Sequence, residues 1–292
     1  MDGYHIPSTL DEALDLLESY RGRARVIAGG TDLVIQLRKK EREAEALVDL
    51  SALDEYKQIK VVDGTLKIGS LCTHSQLAGS SLVKSAAPAL AEAAASIGSP
   101  QIRNIGTIGG NIVSAQPAAD TSIALTALGA NLIITSKDGL RDIPLGRVFT
   151  GVGKTALDPT SEILTEIHIP LEEGCISSAF KRLSKRKALS LPVLNTAAYV
   201  HLSEDQAYLQ TVRIAAGPVS TVPWRADEAE TSLKGARISL KRIREASDLA
   251  AEKASPRNSL RGGAAYRKKM VGIFVYRALK TAIENLGCDL NG

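Results

Sequence analysis

Two glycine pairs carry the clearest chemical signal in the sequence. The first lies in residues 28–32 (Ala-Gly-Gly-Thr-Asp), directly after an apolar run, and the second in residues 107–111 (Thr-Ile-Gly-Gly-Asn). Glycine lacks a Cβ atom and tolerates positive φ angles, so backbone N–H groups in such loops can converge on an anion. The side chains of Thr31, Thr107 and Asn111 would add hydrogen-bond donors. One glycine pair alone is typical of a tight turn, whereas two such loops together predict a diphosphate site.

A third glycine-containing segment, residues 151–155 (Gly-Val-Gly-Lys-Thr), ends like a phosphate-binding P-loop. A P-loop requires glycine five positions before Gly153, where this chain has Val148, and a helix afterwards, where Pro159 soon follows. This context disfavours a P-loop. The lone His74 has no second catalytic residue near it in the sequence, and it is therefore more typical of a structural histidine than of a ligand contact.

The composition excludes several classes of protein. The 292 residues include 44% hydrophobic and 23% charged residues, as in an ordinary globular protein and unlike a disordered chain. The 36 basic and 32 acidic side chains give a net charge of +4, which is too slight to indicate binding to nucleic acid or to a membrane surface. No apolar run approaches the roughly 18 residues needed to span a bilayer. Residues 1–5 show no secretory signal pattern, so we expect a cytoplasmic protein.

The cysteines and the titratable residues give no local metal site and no catalytic set. Cys72, Cys175 and Cys288 lie far apart and form no Cys-x-x-Cys pair, so we expect neither a zinc site nor an iron–sulfur cluster within the chain. Free thiols are the default for such a chain. No convincing Ser-His-Asp or paired-carboxylate arrangement is present, so we assign no catalytic side chain and no metal ligand.

The spacing of residues along the sequence also predicts the helices, strands and turns that position the glycine loops. Thr9 and Glu12 form a capping-box pattern before a helical run, and Asp63-Gly64 predicts a hairpin turn. Residues 98–120 show no periodicity, and long irregular segments in compact domains are usually functional. Helix and strand patterns are mixed up to about residue 174, and antiparallel strands followed by long helices come afterwards. We therefore place a domain boundary near residues 171–178.

The two glycine loops resemble those of the flavin-binding medium subunit of molybdenum hydroxylases, a family that includes xanthine dehydrogenase and aerobic carbon monoxide dehydrogenase. The resemblance runs along the whole chain. It includes residues 100–104 (Pro-Gln-Ile-Arg-Asn), residues 116–120 (Gln-Pro-Ala-Ala-Asp), the Glu162-Ile163-Leu164 strand, Phe180, residues 186–189 (Arg-Lys-Ala-Leu) and Tyr266-Arg267. Ser190 stands where some members of the family have Asp, so the resemblance implies no role for a carboxylate at this position.

The resemblance implies an α+β fold. Residues 1–174 would form a two-subdomain FAD-binding domain of the vanillyl-alcohol oxidase (PCMH) type, with subdomains of about residues 1–55 and 56–174. Residues 175–292 would form a C-terminal domain of antiparallel sheet plus helices, like that of the carbon monoxide dehydrogenase flavoprotein. Thr31 stands where some related oxidases carry a histidine that anchors the flavin, so the resemblance implies FAD bound without a covalent link.

The family resemblance also implies a function and its partners. The chain would be an electron-transfer subunit that takes electrons from the 2Fe-2S clusters of an iron–sulfur subunit, which receives them from a molybdopterin subunit. FAD would pass them to NAD⁺ or another acceptor, within a hetero-oligomer. Two alternatives stay open: a stand-alone flavin oxidoreductase of the same fold, and a non-catalytic module that binds ATP through residues 153–155.

The loops and the resemblance together predict which residues contact FAD. Residues 181–187 include five basic residues, which form either a surface exposed to solvent or a surface that binds an anion. The sequence leaves open whether Lys181 or Arg182 faces the flavin. Asp120 fits both a helix cap and a cofactor contact. The predicted FAD contacts are Val26, Ile27, Ala28, Gly29, Gly30, Thr31, Asp32, Leu33, Ile102, Thr107, Ile108, Gly109, Gly110, Asn111, Asp120, Leu164, Lys181 and Arg182.

Overall fold

A small parallel sheet with one packed helix begins the chain. The structure, a computed structural model, describes residues 3–186, 189–288 and 290. Three parallel strands pair in the order β1-β3-β2, and Leu14 and Leu17 of α1 pack against them. The Thr9 hydroxyl accepts a hydrogen bond from the Glu12 N–H at 3.2 Å and so caps α1. The Glu12 carboxylate accepts from the Ser8 N–H and not from that of Thr9, so only half of the predicted capping box forms. The elements are β1 (Gly3–His5), α1 (Leu10–Ser19), β2 (Ala24–Ile27), α2 (Leu33–Arg38) and β3 (Ala46–Asp49).

A five-stranded antiparallel sheet follows, in the order β4-β5-β10-β6-β7. Asp63 and Gly64 form the predicted turn between β4 and β5, with φ angles of 49° and 68°. The elements of this part of the chain are β4 (Ile59–Val62), β5 (Thr65–Gly69), α3 (His74–Gly79), α4 (Ser81–Ala86), α5 (Pro88–Ala95), α6 (Pro100–Ile105), α7 (Ile108–Val113), α8 (Asp120–Leu128), β6 (Asn131–Ser136), β7 (Gly139–Pro144), α9 (Leu145–Val148), β8 (Phe149–Gly151), β9 (Lys154–Thr155) and β10 (Ile163–Pro170). Strands β8 and β9 pair with each other, as a separate two-stranded hairpin.

The segment 98–120 is not the irregular loop that its sequence predicts. It contains α6 and α7, each of six residues, and the hydroxyls of Ser99 and Thr107 cap them. Helices of this length span fewer than two turns, so apolar periodicity has no room to appear.

The third sheet is antiparallel, in the order β11-β12-β13-β14, and apolar side chains cover both of its faces. Leu194, Ala198 and Val200 pack toward the last three helices, while Phe180 and Ala197 join the core around α5 and α8. This packing joins the third sheet to the second. The elements are β11 (Cys175–Leu183), β12 (Leu194–Leu202), β13 (Leu209–Gly217), β14 (Trp224–Arg225), α10 (Asp227–Leu233), α11 (Leu240–Lys253) and α12 (Ala264–Glu284).

The longest helix, α12, has 21 residues. Its apolar face, which includes Val271, Val275 and Leu279, packs on the third sheet. Basic residues such as Lys268 and Lys280 interrupt its apolar sequence. Within the described part of the chain, no helix combines the length and the apolar character needed to cross a membrane.

Candidate functional site

A cleft of about 800 Å³ lies where the three larger sheets and their loops meet. Pockets that hold cofactors and other ligands usually measure about 300–1,000 Å³. The loop after β2, the connection from β5 to α3, the α6–α7 segment and the end of β11 all contribute residues to its wall. Both glycine loops line this one cleft, so the structure brings together the two features that stand out in the sequence.

The first glycine loop lies directly against the segment before the second. A Cβ atom built on Gly29 would lie 2.1 Å from the Ile105 carbonyl oxygen and 2.9 Å from the Cα atom of Gly106. No side chain fits there, so Gly29 is required for the two backbones to approach. Gly30 has a φ angle of 65°, in the left-handed region that glycine favours.

The first loop also has free backbone donors. Among the hydrogen bonds of the described residues, none uses the N–H groups of Gly29, Gly30, Thr31 or Asp32, and all four residues line the cleft. The Thr107 N–H, on the second loop, likewise has no acceptor within the described chain. Converging amides of this kind form an anion site.

The glycines of the second loop serve packing. The Gly109 N–H donates to the Ser70 carbonyl at 2.8 Å, and a Cβ atom on Gly109 would lie 2.7 Å from the Ser70 Cβ. The Gly110 N–H donates to the Thr107 hydroxyl at 3.1 Å. The Asn111 side-chain oxygen accepts from the Thr121 hydroxyl at 2.6 Å, which leaves the Asn111 amide nitrogen to face a ligand.

A buried ion pair forms another part of the cleft wall. Asp120, 5% exposed, accepts hydrogen bonds from Arg182 Nε at 3.1 Å and from Asn195 Nδ2 at 2.8 Å. Burial raises the pKa of the Asp120 carboxyl, and Arg182 and Asn195 oppose that rise. Arg182 also donates to the Ser190 carbonyl. The expected helix cap is wrong: Ala119 occupies the cap position of α8, and the Asp120 carboxylate makes no capping bond.

Sixteen of the eighteen residues predicted to contact FAD line the cleft. The exceptions are Ile108, whose side chain is fully buried in the core, and Lys181, which pairs with Thr196 across the sheet. Alternation along β11 places Arg182, and not its neighbour, at the cleft. Leu189 lines the cleft, while Lys187 and Ala188 of the Arg-Lys-Ala-Leu run lie outside the described residues.

Several further cleft residues are not among the predicted FAD contacts. His74 is 2% exposed and lines the cleft. Burial, with a contribution from Arg103, lowers the pKa of His74 to about 4, so the ring is neutral at neutral pH. Asn195 reaches Asp120 from the middle of the buried strand β12. Gln36, Arg42, Thr150, Lys154, Ser190 and Leu191 also line the cleft.

The P-loop-like residues 153–155 lie in the β8–β9 hairpin. The Gly153 N–H donates to the Ala115 carbonyl at 2.9 Å, and β9, not a helix, follows Gly153. A P-loop needs a helix N-terminus at this point, so the hairpin is not one. Its residues Thr150, Lys154 and Thr155 contribute to the wall of the same cleft.

Comparison with known proteins shows two matching family models. Residues 1–172 match the FAD binding domain in molybdopterin dehydrogenase, and residues 178–282 match the CO dehydrogenase flavoprotein C-terminal domain. The chain is 32% identical to the xanthine dehydrogenase FAD-binding subunit of Escherichia coli O157:H7 over 98% of each chain. It is 35% identical to the nicotinate dehydrogenase FAD-subunit of Eubacterium barkeri over 81% of each. A solved carbon monoxide dehydrogenase from Hydrogenophaga pseudoflava superimposes with a TM-score of 0.90 at 30% identity, covering 96% of each chain.

Proposed function

Because the chain belongs to the FAD-binding flavoprotein subunits of the molybdenum hydroxylase family, we propose that it carries electrons between a partner's iron–sulfur clusters and a soluble acceptor such as NAD⁺. It binds FAD and is a subunit of an oxidoreductase. The observation that carries the proposal is the single cleft walled by both glycine loops, with free backbone amides on the first. FAD, when bound there, supplies the redox chemistry.

The described residues fit a flavin dinucleotide. We propose that the free amides of residues 29–32, together with the Thr107 N–H and the Asn111 amide, hold the diphosphate. Apolar residues such as Ile102 and Leu164 line the slot for the ring system. The Asp120–Arg182 pair presents both an acceptor and donors to polar ring edges.

The side chain of Thr31, in the first glycine loop, indicates how FAD is attached. A threonine hydroxyl does not form the histidine–flavin bond of some related oxidases, and Thr31 occupies the position that this bond would require. We therefore propose that FAD is bound without a covalent link. Acid precipitation of the purified protein should release all of the flavin into the supernatant, whereas flavin retained in the pellet would contradict this proposal.

The proposed partners follow from the family. Similar proteins include a subunit of the 6-hydroxypseudooxynicotine dehydrogenase complex and the medium subunit of nicotine 6-hydroxylase, both from Paenarthrobacter nicotinovorans. We propose that substrate oxidation takes place on a molybdopterin subunit and that the electrons reach this chain through a 2Fe-2S subunit, in a cytoplasmic hetero-oligomer. We place the boundary between the FAD-binding and C-terminal domains at residue 174, just before β11, with the first domain divided near residue 55.

Reconstitution tests the proposal. The full chain purified alone should show flavin absorbance bands but no turnover of hydroxylatable substrates such as purines. Addition of the molybdenum and iron–sulfur subunits should restore turnover and, with NAD⁺ present, NADH formation. Substrate turnover by the chain alone would favour a stand-alone flavin oxidoreductase, and a colourless protein that binds ATP would favour a nucleotide-binding module. Coding regions for those two subunits next to this one would support the assembly.

A further inference from the structure

His74 lies where the two glycine loops meet. It is the first residue of α3, and its backbone N–H donates to the Gly106 carbonyl at 3.0 Å. A Cβ atom built on Gly106 would lie 3.4 Å from the His74 Cδ2 and 3.6 Å from the Thr31 hydroxyl oxygen. The imidazole, the Thr31 hydroxyl and the Gly106 backbone therefore surround one point on the cleft wall.

The imidazole of His74 has no partner within the described chain. Its Nδ1 is buried and makes no hydrogen bond, and no bond to Nε2 is formed either. By contrast, His5 contacts Tyr20 at 2.8 Å, His168 contacts Glu166 at 2.6 Å, and His201 contacts Glu172 at 2.8 Å. Buried polar side chains are almost always paired, so an unpaired one requires a physical explanation.

A ligand in the cleft supplies that explanation. The His74 side chain lines the cleft beside the residues whose amides are free. A half-turn of the ring about its Cβ–Cγ bond exchanges Nδ1 with Cδ2, the atom that now faces Thr31 and Gly106. Both ring orientations fill the same volume, so a nitrogen reaches the space between the loops without moving the backbone.

We propose that His74 is a positioning residue for FAD, donating an imidazole N–H to an oxygen of the diphosphate held between the two loops. This inference rests on the proposed function, because it requires a dinucleotide in the cleft. It assigns a role that the isolated histidine in the sequence does not suggest. Neither glycine of the second loop has a free N–H, so His74 adds a donor where that loop is poor in them.

The contact makes FAD binding depend on pH. Arg103 on α6 disfavours the charged imidazole, and Asp32 on the first loop is the acidic residue lining the same part of the cleft. The diphosphate brings two negative charges close to the ring, which favour its protonation. Binding should therefore take up protons, and FAD affinity should fall as pH rises through the pKa of His74 in the complex.

Calorimetry on the full chain freed of flavin tests the proposal. FAD is titrated at pH 6 and pH 8 in two buffers of different ionisation heat, so that proton uptake is measured separately from affinity. We expect His74→Phe to weaken FAD binding by about 5- to 30-fold at pH 6 and to abolish proton uptake, because a charge-assisted hydrogen bond is lost. His74→Gln should retain part of the affinity without the proton uptake. His201→Gln, at a paired histidine outside the cleft, is the matched control and should match the wild type.

The outcomes separate this inference from the proposed function. If His74→Phe or, should that variant fail to fold, His74→Gln binds FAD with wild-type affinity and unchanged proton uptake, the inference is wrong. Wild-type chain that does not bind FAD at all would instead refute the proposed function. A Gly29→Ala variant that loses FAD while the His74 variants keep it would leave the site assignment intact and remove only the role of His74.

Discussion

Arg182→Met tests whether the ion pair in the cleft wall holds a buried charge. Methionine keeps the aliphatic length of arginine but removes the guanidinium, so Asp120 loses two of its three hydrogen bonds and keeps the one from Asn195. The side chains of Arg182 and Asp120 are only 12% and 5% exposed, so water cannot replace the lost partner without rearrangement.

The expected loss of stability follows from this burial. Removing one partner of a buried pair costs about 3–5 kcal/mol, and the remaining Asn195 bond favours the lower end, about 3 kcal/mol at pH 8. Without Arg182, less opposes the effect of burial, so the Asp120 pKa rises further although the Asn195 hydrogen bond still lowers it. The folded variant then binds a proton more tightly than the unfolded chain, so its stability relative to wild type falls as pH rises. The fall is at most about 1.4 kcal/mol per pH unit.

Urea unfolding of the flavin-free chain at pH 5 and pH 8 measures both effects. The gap in unfolding free energy between wild type and Arg182→Met should be larger at pH 8. The double variant Asp120→Asn/Arg182→Met, which has no charge to bury, should recover most of the loss, because a pair replaced on both sides leaves little unsatisfied. A gap that is equal at both pH values, or a double variant no more stable than Arg182→Met, would refute the reasoning.

Three other changes probe the cleft and its surroundings. Gly29→Ala places a Cβ atom 2.1 Å from the Ile105 carbonyl oxygen, so FAD titration should show binding reduced at least tenfold, whereas Gly79→Ala, with open space around it, should bind normally. Asn111→Asp brings a negative charge to the proposed diphosphate site, and fluorescence titration should show FAD binding weakened by about tenfold. Cys72 is buried and its pKa is raised to about 12, so a thiol reagent should label it only after unfolding, whereas immediate labelling of all three cysteines would contradict its burial.

The parts of the site that the sequence predicts are those built from local backbone requirements. Gly29 and Gly30 are recognisable because only glycine permits the close approach at Gly29 and because glycine favours the positive φ at Gly30. The Asp63-Gly64 turn is predictable for the same reason. In each case the chemistry of one or two adjacent residues decides the conformation, and the rest of the fold accommodates it.

The parts that the sequence does not reveal depend on contacts between distant segments. Asn195 and Asp120 are 75 residues apart, and the residues next to Asn195 in the sequence do not indicate that its side chain binds Asp120. The choice between Lys181 and Arg182 depends on which face of β11 meets Asp120, and that face is set by the packing of the third sheet on α5 and α8. Strand alternation limits the choice to two residues, but only the tertiary contact selects one.

The two glycine loops have similar sequences but different roles. The first loop leaves its amides free, and its Gly29 brings the backbone against Ile105. In the second loop, the N–H groups of Gly109 and Gly110 donate hydrogen bonds to the Ser70 carbonyl and to the Thr107 hydroxyl. The first loop therefore supplies most of the free backbone donors, and the second, apart from the Thr107 N–H, forms a rigid wall. Side chains can supply further donors on that wall, which gives the unpaired imidazole of His74 a physical reason.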